Sequence, residues 1–334
     1  MNNIEKLLKW ELHPSRTFFG FNDLAAKSPR FVFHPEISPI PEGATGCFVG
    51  EQNQFGFQMF MAGVRLDDKS VKDFGQAIML AAVRQQKREG IFPCEEDIHH
   101  SVSFFLEVVA RLLLLRDKAG AGHLLEFCKC LRYGAQWFGA PATWQDGWWI
   151  ERMHHRFFLN SSVLYLADAA LSSVPDTPET RWLCGPLPRW CIETADSWVQ
   201  KGIGLQREDG AITEGGGHDT GYHSLAVTYM AGTLMAGNIG DDLRSSLTRC
   251  LDKAACWLLS RIRADGSIDA SGNTRMAPNY GGAPGRFGTG ATIGIKFYET
   301  AFALYGAGLQ LEDDKCLEAA ERIMRANPVP AVAG

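Results

Sequence analysis

Long uncharged apolar runs are missing from this 334-residue chain. The most apolar stretch, "VSFFLEVVARLLLLRD", carries Glu107 and Arg111, so no membrane span is expected. The opening "MNNIEKLLKWELHPSRTFFG" has neither the apolar core nor the small-residue cleavage site of a signal peptide. That points to the cytoplasm, or to the periplasm or the exterior where a leader has been removed. Charge of one sign is scarce as well. The net charge is −5, with no basic stripe and no acidic block, which argues against nucleic acid or a membrane as partner. The nine cysteines are odd in number and lack a CxxC pair, as in a reducing compartment without a disulfide framework. Cys128 and Cys130 form a CxC within a helical pattern and read as packing. A Gly-x-Ser-x-Gly elbow is absent, against a serine hydrolase. No glycine-rich loop follows a strand, and "GGAPGRFGTG" at 281–290 lacks the Lys-Ser/Thr of a phosphate loop.

What the chain does have is repetition. From about residue 70 onward a helix with Trp or Leu on its apolar side leads to an Asp-Gly loop and then to a more hydrophobic helix. The clearest copies are "YGAQWFGAPATWQDGWWIERMHHRFFLNSSVLYLADAAL", "ADSWVQKGIGLQREDGAITEGGGHDTGYHSLAVTYMAGTL" and the segment from "AACWLLSRIRADGSIDASGNTR" to "GATIGIKFYETAFALYGAGL". Trp137, Trp198 and Trp257 each precede an Asp-Gly, at Asp146, Asp209 and Asp265. A weaker copy lies upstream, with Gly90 and Pro93 as its breakers. Asp-Gly suits a tight turn because glycine accepts positive φ and Asp bonds its neighbouring backbone. The second helix of each copy is apolar nearly all round, as a helix buried on both sides is. The expected fold is therefore all-α: an α/α toroid, an incomplete double ring of four to five helical hairpins, over 71–326. An open helical solenoid is the structural alternative. Residues 1–70, rich in Phe, Pro and Gly beyond 17 and without helical period there, are expected to form an irregular segment of loops and short strands on the ring. Residues 327–334 read as a frayed tail.

Polar residues recur where the buried helices begin. The first opens with Glu95, Glu96, Asp97, His99 and His100, the second with Glu151, His154 and His155. The third opens with Asp219, Tyr222 and His223, and the fourth near Lys296, Tyr298 and Glu299. If these helices run parallel, their first turns meet in one depression, together with free N–H groups and partial positive charge. The preceding loops add Trp144, Trp148 and Trp149, Arg207 and Glu214, then Asn273 and Arg275. Aromatic platforms beside Arg and Asn suit a sugar chain bearing carboxylates or sulfates. Each residue also has a plain structural explanation. His99 and His100 suit surface first turns, Tyr222, Trp148 and Trp149 suit the core, and Asp219 or Thr220 suits an N-cap. Glu96-x-x-His99 and Glu151-x-x-His154 have di-iron spacing, with Glu299 the one further ligand suitably placed; a single zinc held by His from two repeats is less constrained. Neither a metal nor another cofactor is expected.

The second and third hairpins resemble the helical domain of α/α-toroid polysaccharide lyases, namely chondroitin and hyaluronate lyases and, more loosely, heparinases and alginate lyases. The segments "DGWWIERMHH" and "DGAITEGGGHDTGYHSL" carry the likeness: a Trp pair opening one helix, then Asp-Gly, a polar stretch and a first-turn Tyr. It covers roughly 120–310. Gly147 stands where the family usually has Asn before the Trp pair, and Glu214 or Gly215 where it has His. The group that neutralises a substrate carboxylate would then be Asn273, Arg275, a protonated Glu or an earlier His.

The resemblance implies a lyase that cleaves an acidic oligo- or polysaccharide by β-elimination. Tyr222, helped by His223 or His155, removes the C5 proton of a uronate and then protonates the leaving oxygen. A tyrosine titrating near ~10 needs a neighbouring cation and the helix N-terminus for this. Trp148, Trp149, Arg207, Glu214, Asn273, Arg275 and His100 are the expected substrate-binding residues; Tyr222, His223, His155, Glu151 and Asp219 are the expected catalytic ones. A glycoside hydrolase is the alternative, pairing Asp219 or Glu214 with Glu151 or Asp97, retaining at roughly 5–5.5 Å and inverting at roughly 6.5–9.5 Å. A non-catalytic repeat scaffold and a terpenoid-type cyclase stand further off. The cyclase or isomerase reading draws on the toroid fold, which hosts that chemistry too; "DDKSVKD" and "EDDKCLEAAE" faintly resemble the aspartate-rich motifs of terpene synthases and read as charged helix ends.

Overall fold

The computed structural model describes residues 1–17, 48–92, 98–140, 153–236, 238–274 and 296–327, with the side chains of all of these but 17, 48–54, 100 and 101. Among these residues the chain is mostly helical. Helices α1 (Asn3–Glu11), α2 (Pro14–Thr17), α3 (Phe48–Leu66), α4 (Lys69–Val83), α5 (Ile98–Ala119) and α6 (Leu124–Gly139) come first. They are followed by α7 (His155–Ser173), α8 (Arg189–Gly204), a hairpin of β1 (Thr213–Glu214) and β2 (Gly217–His218), α9 (Thr220–Ala236), α10 (Asp241–Ser260), α11 (Phe297–Leu311) and α12 (Asp314–Ala326). None of these helices is long and apolar enough to cross a membrane.

Two series of helices alternate along the chain. Helices α3, α5, α7, α9 and α11 pack each on the next, while α4, α6, α8, α10 and α12 pack successively outside them. The first series is the buried one: in α7 every residue from His155 to Leu171 is buried, and α9 is nearly as enclosed. Such helices are apolar on all sides because both neighbours and the outer layer cover them. The outer helices show one apolar stripe; in α12 Cys316, Ala319, Ala320 and Ile323 face inward.

The Gly-containing turns have a shared construction. Arg207 N–H donates to Ala211 O at 2.9 Å and Gly210 N–H to Arg207 O at 3.0 Å, with Gly210 at φ +92°. Arg263, Gly266 and Ser267 repeat this pattern at 2.9 and 3.0 Å, and Lys87, Gly90 and Ile91 at 2.8 and 3.0 Å. Gln86 Nε2 donates to the carbonyls of Gly90 and Cys130, at 3.0 and 2.9 Å. Gln206 Nε2 does the same to Gly210 and Cys250, at 3.1 and 2.9 Å. The Gly90 and Gly210 turns are thus sewn to the following outer helix. A Cβ on Gly210 would also collide with the Lys253 carbonyl. The weak upstream copy at Gly90 is a true copy, and the Asp146–Gly147 turn lies outside the described residues.

The N-terminal segment departs from expectation. Residues 48–66 are not irregular but form α3, the first buried helix. Gly56 and Gly63 hid its helical character, since glycine lowers helix propensity. Their purpose is close packing on α4: a Cβ on Gly63 would lie 2.7 Å from Lys72 Cα, and one on Gly56 3.0 Å from Gly75 O. Helices α1 and α2 are likewise ordered and interior. The Asn2 side chain caps α1 in a reciprocal box with Glu5. Helix α1 lies against α5, α9 and α11, and α2 against both α3 and α11. Residues 18–47 and 328–334, parts of the expected irregular segment and of the tail, lie outside the described residues.

Charge anchors this arrangement. Glu11 pairs with Arg111 and with Arg16 Nε, the latter at 2.9 Å, and Arg111 pairs with Glu107 one turn before it on α5. The Arg111 guanidinium lies over the Trp10 ring at 4.6 Å, and Trp10 donates to Phe302 O of α11 at 2.7 Å. Burial alone would push the Arg111 guanidinium down, but Glu107 and Glu11 outweigh it and hold it above its ordinary value. A buried set of this kind is costly to leave incomplete. Glu11→Ala, which removes a carboxylate shared by two buried guanidinium groups, is expected to lower stability by about 3–5 kcal/mol. Urea unfolding followed by tryptophan fluorescence measures it; a loss below about 1 kcal/mol, the range of an exposed pair, would show that the cluster is not what holds the N-terminal helices.

Candidate functional site

The third hairpin builds the site from its loop. Gly215 and Gly216, at φ +61° and +86°, turn the chain back so that Thr213 pairs with His218 and Glu214 with Gly217. Positive φ at both central residues is the hairpin turn that matches strand twist. On its other edge Glu214 bridges Met153, and His218 bridges Asn273. Three loops, before α7, before α9 and after α10, are thereby laced into one small sheet. Thr274 Oγ1 adds a bond to Glu214 O at 2.8 Å.

This lacing aligns side chains across the loops. His154 bonds Thr213 Oγ1, and His155 Nδ1 bonds Glu214 Oε2 at 2.9 Å. His155 and Glu214 are both buried, 2% and 1% exposed, and among the described residues Glu214 Oε1 has no hydrogen-bond partner. With Nδ1–H donated to the carboxylate, the neutral ring keeps its lone pair on Nε2. The His155 ring stacks on Tyr222, centroids 4.5 Å apart and planes 25° from parallel. Lys296, at the start of α11, brings its ammonium to 5.9 Å from the Tyr222 ring centre and 3.8 Å from Glu299 Oε1. Ser224 and Thr300 hydroxyls, 2.9 Å apart, join the first turns of α9 and α11 beneath. Burial pushes His154 down; the Glu214 charge opposes this and His155 adds to it. The first turns of α7, α9 and α11 therefore meet, with an imidazole–carboxylate dyad stacked on a half-buried phenol and an ammonium 5.9 Å from that ring. Such a group can abstract a proton, return one, and meet an anionic substrate.

Other expected residues take different places. His223 is a structural residue, not a helper of Tyr222. Its Nδ1 accepts from Ile212 N–H at 3.1 Å, its Nε2 donates to Ala254 O at 2.9 Å, and its ring packs on Trp257. Asp219 Oδ1 accepts the Tyr222 N–H at 3.0 Å and so caps α9. Asn273 Oδ1 accepts from Thr220 N–H and Oγ1, at 3.1 and 2.8 Å, committing that oxygen to the same helix start. Arg207 sits in its turn, paired with Asp209 at 3.3 Å. His99 stacks on Trp137, 5.4 Å between centroids. Glu151, Trp148, Trp149, Arg275, Trp144, Glu95, Glu96 and Asp97 lie outside the described residues, as does the His100 side chain. Among the described residues no three His, Cys, Asp or Glu side chains gather as metal ligands would. Lys296, noted only as part of the polar start of the fourth buried helix, and Glu299, noted there and as a possible di-iron ligand, belong to the candidate site. Their reach across to Tyr222 had no signal in the local sequence.

Burial pushes His223 down to about 4. In the unfolded chain the imidazole takes a proton near pH 6.5. Between about pH 6.5 and 4 the unfolded state thus binds a proton that the native state refuses, and stability falls with pH across that window by up to about 3 kcal/mol. Urea midpoints between pH 7 and 4.5 are expected to fall more steeply in the wild type than in His223→Gln, although the variant starts lower. Parallel slopes would refute the assignment.

The chain matches no protein-family model, no curated protein and no solved structure.

Proposed function

We propose that the chain is an α/α-toroid enzyme that cleaves a uronic-acid glycan by β-elimination, with Tyr222 as base and the His155–Glu214 dyad as its support. The toroid reading is favoured by the unbroken packing from α3 to α11 and by α2, which touches both ends of that series. The chemical reading is carried by one observation: His155, oriented by a buried carboxylate, stacks on Tyr222.

In this mechanism the Tyr222 phenolate takes the proton from C5 of the uronate. The C–H electrons form the C4=C5 double bond, the C4–O bond breaks, and the leaving oxygen receives the proton from the Tyr222 hydroxyl, which restores the phenolate. The Glu214 carboxylate stabilises positive charge on His155, and an imidazolium or the Lys296 ammonium offsets the developing phenolate. Glu214 serves here as an orienting acceptor, the part a carboxylate plays behind a histidine in other acid–base sites. The two-carboxylate hydrolase has no described pair: its candidates opposite Glu214 and Asp219, namely Glu151 and Asp97, lie outside the described residues.

Purified protein incubated with alginate, polygalacturonate, hyaluronan and chondroitin is expected to raise the ultraviolet absorbance of the C4=C5 product on one of them. Tyr222→Phe is expected to lower kcat by about 10²–10⁴ with the melting temperature kept. Glu214→Gln is expected to lower it by about 10²-fold or more, since the acceptor loses its charge while the stack remains. New reducing ends without absorbance would replace elimination by hydrolysis.

A further inference from the structure

We propose that Lys296 is the receptor for the substrate carboxylate and makes the site selective for uronic acids over their neutral esters; this rests on the β-elimination reading. Removal of a proton next to a carboxylate stalls unless a cation or donor holds that carboxylate as negative charge moves onto it. Asn273, one sequence candidate for this task, uses its side-chain oxygen to cap α9. Lys296 comes instead from the start of a different helix, and among the described residues its ammonium is a cation placed beside Tyr222.

Two features show that this placement is built. The lysine stem is about 90% hidden and crosses the first turn of α9 at Gly221. A Cβ at that position would stand 3.1 Å from Lys296 Cδ and 3.3 Å from both Lys296 Cγ and Asp219 Oδ1. Glycine immediately before Tyr222 thus leaves the channel through which the ammonium arrives at the phenol. The second feature is the charge balance. Glu299 Oε1 lies 3.8 Å away, an opposite charge beside the buried ammonium. His155 and Glu214, the former stacked on the same phenol, form a separate pair. The site therefore divides into a proton-handling half, His155–Glu214 with Tyr222, and a carboxylate-receiving half, Lys296 with Glu299. A uronate spanning them presents its C5 proton to the phenol while its carboxylate faces the ammonium.

The experiment compares each polyuronate with its methyl ester, in which the carboxylate charge is removed. Wild type, Lys296→Met, Lys296→Arg and Gly221→Ala are assayed for ultraviolet product, with thermal melting as the folding control. Lys296→Met is expected to lose about 10²–10³-fold in kcat/KM on the acid and less than about 10-fold on the ester, so that the acid preference collapses. Gly221→Ala, which retains the charge but crowds its stem, is expected to shift the same ratio in the same direction, and Lys296→Arg to restore part of it. A fall of equal size on acid and ester in both Lys296→Met and Gly221→Ala would show a structural role and overturn the proposal. Calorimetric binding of the same acids and esters separates the two levels. Product formation with an unchanged acid-to-ester ratio in the variants would remove Lys296 and leave the elimination. Lys296-dependent binding of the acid without product would remove the elimination and leave Lys296.

Discussion

Glu11 lies in the middle of the molecule, a carboxylate between Arg16 and Arg111, and the rest of the packing is arranged so that this is tolerable. A charge at that depth persists only with its partners in place, because the desolvation it suffers has no other compensation. Helix α1 must therefore occupy its position against α5, α9 and α11 for Arg111 to be matched. Trp10 reinforces the requirement, stacking on Phe302 at 4.6 Å while its ring supports the guanidinium. The N-terminal helices are in this sense interior parts of the helical body. Charge gives their position a definite register that apolar packing alone leaves looser.

The candidate site depends on that body in a different way. Its side chains stand at the beginnings of α7, α9 and α11, where helical N–H groups lack intrahelical partners and polar residues are needed as caps. Asp219 and Asn273 fulfil that need at the start of α9. His155, Glu214, Tyr222 and Lys296 stand among them and face one another. The division of labour between capping and contacting residues is decided by the small sheet of loops, which turns Glu214 inward while His218 stays partly exposed. In the proposed mechanism this sheet has the same importance as the helices, because it sets the distance between the carboxylate and the imidazole.

The repeat was legible because its marks are local. Asp209–Gly210 and Asp265–Gly266 announce turns in any context, and uninterrupted apolar helices announce burial. The convergence of polar first turns followed from the repeat itself, since equivalent helix starts in stacked hairpins share one end. Helix α3 was not legible, for Gly56 and Gly63 weaken the local helical signal in exchange for contact with α4. His223 was misread for a related reason. Its neighbour in sequence is Tyr222, yet on a helix adjacent residues point about 100° apart, and the imidazole turns to Ile212 and Ala254 instead. His155, far away in the chain, is the ring that meets the phenol.

From residue order alone came an all-α architecture, the hairpin period, the turn positions and the end of the helices at which polar chemistry collects. These are properties of short-range periodicity and backbone preference, and they persist whatever the chain packs against. The tertiary structure decided which of the collected residues touch. Stacking of His155 on Tyr222, the pairing of Glu214 with His155 and the passage of Lys296 over Gly221 join segments about 60 to 75 residues apart. Contacts at that separation arise from the crossing of whole hairpins, and a difference of one residue in a loop would turn each side chain elsewhere.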